Sequence, residues 1–164
     1  GNTEPKEKEQ LMLKESLIEN NSIKLNQTAA NWEEAIKIGT DLLVASGAIE
    51  PRYYDNIVSN IKEMGPYIVL APGLAMPHAR PEEGVIRTAF GLTTLAQPID
   101  FDGEQISVLV TLAGSDSDTH MEGIMEITQI FDDPDSEDGV NIQKFLDCKT
   151  QEDVLAVIDA ALNG

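Results

Sequence analysis

The chain has one cysteine, Cys148, in 164 residues, so an internal disulfide is excluded, which fits a reducing cytoplasm. Basic residues are scarce: 11 Lys and Arg face 29 Asp and Glu, for a formal net charge of −18. Such a chain repels phosphate backbones and anionic lipid surfaces, which argues against nucleic acid as a partner. No run of about 18 apolar residues occurs, so no segment reads as a membrane span. The opening GNTEPKEKEQ lacks the apolar stretch of a secretory signal. Residues 1–12 read as a frayed leader or a remnant of expression, and 13–164 as one domain. Repeats and long linkers are also missing. Cys148, in FLDCKT, reads as a packing residue near a helix end.

Periodicity then supplies the elements. LMLKESLIENNSIKL reads as a short amphipathic lead-in. NWEEAIKIGTDLLVASG carries Trp32, Ala35, Ile36, Gly39, Leu42 and Leu43 at helical spacing, with a capping box at Asn31 and Glu34 and a stop at Gly47. A second helix opens near Pro51, buries Tyr54, Ile57, Val58 and Ile61, and ends at Gly65. YIVLA (67–71), TAFGLTTLA (88–96) and ISVLVTLAG (106–114) read as buried strands, the last two joined through an Asp-Gly turn. SDSDTHMEGIMEITQIF reads as a helix with Met121, Ile124, Met125, Thr128 and Phe131 on its core face. DDPDSEDG is an acidic loop; it lacks the ligand register of a calcium loop. NIQKFLDC and TQEDVLAVIDAAL close the chain as helices, the second capped by Thr150. Helices before, between and after strands predict an α/β fold: a single-domain α/β/α sandwich with a mixed sheet covered on both faces.

The two histidines both fall just past strand ends. His78 sits in LAMPHARPEEG, bracketed by prolines, and His120 lies in the first turn of the helix after the third strand. Loops at strand ends are where α/β folds keep their chemistry. If both ends share one rim of the sheet, the imidazoles meet. A neutral imidazole is a nucleophile near pH 7, and a phosphoryl group on it needs cationic or N–H partners. His120, Ser117 and the helix start are candidates for that support, as are Arg80 and Lys62. Either histidine taken alone also reads as ordinary packing. Their spacing is no zinc motif, and no phosphate-cradling glycine loop or G-x-S-x-G elbow occurs. Met121 and Met125 read as core residues rather than ligands.

Leu74, Ala75, Met76, Pro77, His78 and Ala79 carry a resemblance. The stretch resembles the IIA component of the bacterial phosphoenolpyruvate-dependent sugar phosphotransferase system, mannitol/fructose type, over about residues 15–163. GTDLLVASGAIEPRYYDNI, GPYIVLAPGLAMPHARPEEGV and SDSDTHM look most like its ascorbate-specific branch. The resemblance implies a relay: His78 takes a phosphoryl group from the general histidine phosphocarrier and passes it to a cysteine of the IIB component. His120 would support the phosphorylated ring by hydrogen bonding, and no metal or organic cofactor is required. Leu74 and Met76 would belong to an apolar docking rim, and a second copy of the chain is a further candidate partner. The alternative is a regulatory domain of the same type, signalling through its phosphorylation rather than feeding transport. One departure stands out: the mannitol-type proteins carry an arginine before Glu where this chain has Lys62-Glu63, which keeps the charge and loses the bidentate fork.

Overall fold

The computed structural model describes residues 13–163. The proposed leader of residues 1–12 lies outside them. In chain order the elements are α1 (Leu13–Asn20), β1 (Ile23–Gln27), α2 (Trp32–Ala45), α3 (Arg52–Met64), β2 (Val69–Ala71), β3 (Gly73–Ala75), a 3-10 turn (Pro81–Glu83), β4 (Ala89–Phe101), β5 (Glu104–Ala113), α4 (Ser117–Phe131), α5 (Gln143–Leu146) and α6 (Gln151–Asn163). The strands form one sheet in the order β1-β4-β5-β3-β2. β1 runs parallel to β4, β4 antiparallel to β5, β3 parallel to β5, and β2 antiparallel to β3. The mixed sandwich expected from the sequence is the fold observed.

The sheet buries both faces, and β5 shows how. Val108, Val110 and Leu112 pack with α1, α4, α5 and α6, through Leu17, Ile127, Phe145 and Ile158. Leu109 and Ala113, on the alternate positions, pack with α2 and α3 through Ile36, Leu43, Ile57 and Ile61. Two-sided burial explains the near-continuous apolar run of ISVLVTLA. Helix α2 lies close on the sheet because Gly39 has no side chain; a Cβ there would stand 2.3 Å from Thr111 Oγ1.

The local signals hold in most places. Asn31 accepts the Glu34 N–H at 2.9 Å, although the Glu34 carboxylate reaches Ala30 N rather than the cap residue itself. Gly47 and Gly65 sit at positive φ at the two helix ends. Asp102 and Gly103 have φ of 55° and 99°, the left-handed pair a tight hairpin needs. Between Thr94 and Ile99 the β4 register slips, around Pro98, as expected where proline enters a strand. Thr150 Oγ1 accepts the Asp153 N–H at 3.1 Å. Cys148 is buried, and burial pushes its thiol pKa up.

Four expectations are corrected. The lead-in is a helix followed by an edge strand: Ser16 Oγ accepts the Phe90 N–H and Ser22 Oγ donates to Phe90 O, stitching this segment to β4. β1, IKLNQ, is short and alternates polar residues, so it carried little apolar signal. Leu74 and Ala75 belong to a strand of three residues, not to a loop, and YIVLA contributes strand only from Val69. The buried tyrosine of α3 is Tyr53, while Tyr54 is only partly buried.

Helix α4 is turned relative to expectation: Phe131 is buried and Ile124 packs against the core as expected, but Met121 and Met125 are 54% and 66% exposed, and Gly123, Ile127 and Ile130 are buried instead. Both stripes have helical spacing, but the true one includes a glycine and Glu126, which mute its hydrophobicity.

One core residue from each layer tests the two-sided sheet. Leu92→Ala and Leu109→Ala should each lower unfolding free energy by about 2–5 kcal/mol in urea titrations. A change under about 1 kcal/mol at either would contradict the burial described.

Candidate functional site

The parallel pairing of β3 with β5 brings both strand ends to one rim of the sheet. The chain leaves β3 at Ala75 and reaches His78 three residues later; it leaves β5 at Ala113 and enters α4 at Ser117, with His120 in its first turn. The imidazoles meet there, ring centroids 5.0 Å apart at 62°. Gly114 makes the approach possible: a Cβ at that position would lie 2.7–2.9 Å from the backbone and Cβ of His120. The helix is capped by Asp116, whose carboxylate accepts the Thr119 N–H at 2.8 Å. That carboxylate already occupies part of the positive helix end which the sequence offered for a phosphate.

Backbone groups hold the His78 loop. Leu112 N donates to Pro77 O at 2.9 Å. Tyr53 Oη donates to Leu112 O at 2.7 Å and accepts the Ala79 N–H at 3.0 Å. The Tyr67 hydroxyl donates to His78 O. The following turn is closed by Glu83, which accepts Arg80 N at 2.8 Å and receives the side chain of Asn60 from α3.

His78 Nδ1 lies 2.7 Å from the Met76 carbonyl. A carbonyl oxygen only accepts, so in the neutral ring Nδ1 carries the proton and Nε2 the lone pair. Burial lowers the His78 pKa below its ordinary value of 6.5, partly offset by the bond to Met76. The His120 pKa is also lowered, by burial and then by His78. Both rings are therefore neutral near pH 7, and His120 Nδ1 is buried without a hydrogen-bond partner among the described residues.

A cleft of about 410 Å³ opens onto this pair, lined by Asn60, Glu63, Met64, Tyr67, His78, Arg80, Ser117, His120 and Met121, among others. Ser117 and Arg80 thus line the same cleft as the two histidines. Arg80 is exposed and pairs with Glu82 at 3.6 Å and Glu83 at 3.3 Å. Lys62 does not reach it: its ammonium lies 4.0 Å from Glu33, and its side chain lines a separate cleft with Trp32 and Phe101. Leu74 and Met76 are 0% and 4% exposed, so neither can form a docking rim. As β3 and its continuation, they point into the core on the α1/α4 side. The exposed apolar residues near the cleft are Met64 and Met121 on its wall, with Met125 one turn further along α4.

Sequence reasoning missed Tyr53, Tyr67 and Gly114. Tyr53 was passed over because the helical period fits Tyr53, Ile57 and Ile61 as well as the stripe drawn through Tyr54. Among the described residues no cluster of three or more His, Cys, Asp or Glu is placed to hold a metal, and no helix is long and apolar enough to cross a membrane.

These features are those of a histidine-centred phosphotransferase domain on an α/β/α scaffold. The family model described as "Phosphoenolpyruvate-dependent sugar phosphotransferase system, EIIA 2" matches residues 16–161, and the chain belongs to that family. It is a phosphotransferase component acting in phosphoryl relay within such a system. The ascorbate-specific PTS system EIIA components of Salmonella typhimurium and Escherichia coli K12 are 48% and 47% identical to it over 153 residues, covering 91% of this chain and 96% of each relative. The solution structure of the mannitol-specific cryptic phosphotransferase enzyme IIA of Escherichia coli superposes with a TM-score of 0.74 at 31% identity, covering 85% of this chain and 92% of that one. The resemblance drawn from the Pro-His motif and the ascorbate-type stretches agrees with these findings.

Two outcomes follow. Gly114→Ala should cost about 1–3 kcal/mol, because its methyl meets backbone rather than a movable side chain; unchanged urea stability would refute the close approach. The depressed histidine pKa values make the folded state bind fewer protons than the unfolded chain once pH falls below about 6.5, so stability declines on acidification through that point. Wild type should lose more stability between pH 7 and 5 than the His78→Gln/His120→Gln double variant, and both ring titrations by NMR should have midpoints below 6.5.

Proposed function

We propose that His78 is the phosphoryl acceptor and donor of this IIA protein, reacting at Nε2. The observation that carries this reading is the bond from Nδ1–H to the Met76 carbonyl, which leaves the Nε2 lone pair as the ring's only nucleophile. That lone pair attacks phosphorus on the phosphohistidine of the general histidine phosphocarrier. The donor N–P bond breaks and its electron pair returns to the donor ring, so no proton need move at Nε2. In the second step a IIB cysteine thiolate attacks the same phosphorus, and the pair returns to His78 Nε2. Catalysis is positioning and charge stabilisation, with little covalent chemistry for the protein to perform.

His120 supports the phosphorylated ring from 5.0 Å away by donating a ring N–H to a phosphoryl oxygen. Arg80 and Ser117, on the cleft wall, supply further donors. Lys62 has no part in this site, and Arg80 takes over the cationic role that the mannitol-type arginine fills elsewhere. Partners dock on the exposed methionines Met64, Met121 and Met125 in place of Leu74 and Met76. The protein works in the cytoplasm, in ascorbate-type uptake; the names of the 47–48% identical relatives favour transport over a purely regulatory role.

Incubation with phosphoenolpyruvate, enzyme I and the phosphocarrier should add one phosphate by intact mass under alkaline conditions, and His78→Ala should add none. Undiminished uptake by His78→Ala would end the assignment. His120→Ala should still accept phosphate but more slowly. Met121→Glu should raise the carrier concentration needed for half-maximal transfer about tenfold, a loss of about 1.4 kcal/mol in docking, while leaving the saturated rate intact. A half-maximal concentration equal to wild type would remove the methionines from the docking surface.

A further inference from the structure

The His78 imidazole is held on three sides. Nδ1 is bonded to Met76 O at 2.7 Å, the His120 ring lies at 5.0 Å, and the Tyr67 ring stands edge-on at 5.1 Å and 86°. The peptide that follows the imidazole is clamped at both ends by tyrosine hydroxyls. Its carbonyl, His78 O, accepts from Tyr67, and its N–H, on Ala79, donates to Tyr53. The two tyrosines differ in kind. Tyr53 is wholly buried in the core and touches no reacting ring, whereas Tyr67 is partly buried, lines the cleft and packs against the imidazole.

We propose that Tyr67 is a positioning residue for phosphoryl transfer, its hydroxyl fixing the His78 carbonyl and its ring edge fixing the imidazole, so that Nε2 meets the incoming phosphorus at one angle. The proposal rests on the reading of His78 as the phosphoryl acceptor. Met76 and His78 are two residues apart in one short loop, so the bond from Nδ1 to Met76 O survives only while the intervening torsions hold. Tyr67 anchors the same residue from its far side, through His78 O and through the ring edge, and releasing that anchor lets the His78 backbone and ring shift relative to Met76. The imidazole can then turn over and present Nδ1 to the cleft, with Nε2 protonated. Misplacement of a nucleophile by about 1 Å costs on the order of a hundredfold in rate. Tyr67 reaches this place from the turn after α3, where Tyr67 N bonds Gly65 O at 2.7 Å, outside any strand. Its pKa is pushed up to about 12 by burial, so at any working pH it keeps the proton it donates.

Tyr67→Phe keeps the ring and removes the hydroxyl; Tyr67→Leu removes both. In the unphosphorylated protein, NMR of the ring nitrogens should show His78 as a single Nδ1–H tautomer in wild type, a mixture in Tyr67→Phe and a more even mixture in Tyr67→Leu. In single-turnover transfer from saturating phosphorylated carrier, Tyr67→Phe should be about tenfold to a hundredfold slower. The half-maximal carrier concentration should be unchanged, and thermal unfolding should confirm that the variant is folded. A single tautomer and wild-type saturated rate in Tyr67→Phe would overturn the proposal, as would a loss confined to the half-maximal concentration, which would make Tyr67 a docking residue. A wild-type chain that accepts no phosphate would fail the relay reading alone, and the tautomer populations would still decide whether Tyr67 sets the ring.

Discussion

The parallel pairing of β3 with β5 is the constraint on which the site depends. Because the two strands point the same way, the chain exits both at one rim, and the residues that follow each exit become neighbours. β3 is only three residues long, too short to be stable by its own ladder. It is held by burial of Leu74 and Ala75 and by the bonds from Met76 N to Ile68 O and from Leu112 N to Pro77 O. These carry the strand direction past the end of the sheet and into the His78 loop. The burial of Leu74 and Met76, which removes them from any docking surface, is the same burial that places His78.

The site is an apolar-backed pair of neutral imidazoles on a strongly acidic molecule. Desolvation, rather than a neighbouring charge, is the main force on both rings. Its effect is to keep Nε2 nucleophilic at neutral pH and to leave the positive charge of the cleft wall to Arg80. That arginine is exposed and engaged by Glu82 and Glu83, and exposed pairs of this kind are worth little. On the proposed reading of His78, a phosphoryl group carrying close to two negative charges competes with those carboxylates for it. The exposed methionines beside the cleft offer adaptable apolar contact, which is why the docking face proposed above is drawn through them.

The fold was legible wherever a segment had a clear period. α2, the β4–β5 hairpin with its Asp-Gly turn, and α6 with its Thr150 cap appear where propensity, capping and patterning agree. β1 was not legible because its five residues alternate apolar with polar, and β3 because three residues between Pro72 and Pro77 are too few to establish a period. The face of α4 was misread because two stripes fit the helical period, and the one that packs contains Gly123 and Glu126. At the site, the Pro-His motif and the second histidine stood out by their rarity and placement. Tyr67 did not, since its residue type suited the strand that YIVLA resembled.

The sequence by itself determined which groups are available: two histidines beyond strand ends, an excess of acid, a capped helix after β5, and the motif that places the chain among phosphotransferase IIA proteins. Only the tertiary structure decided which groups share a cleft. Lys62 precedes the Tyr67 turn by only a few residues yet faces Glu33 and Trp32, while Tyr67 and His78 from two connections converge with His120 from the start of α4. Periodicity reports which side of an element is apolar, through interactions a few residues apart. The meeting of Tyr67, His78 and His120 depends on strand order, on the absence of a side chain at Gly114 and on which hydroxyl reaches which carbonyl. None of these follows from the spacing of apolar residues, so no local pattern encodes them.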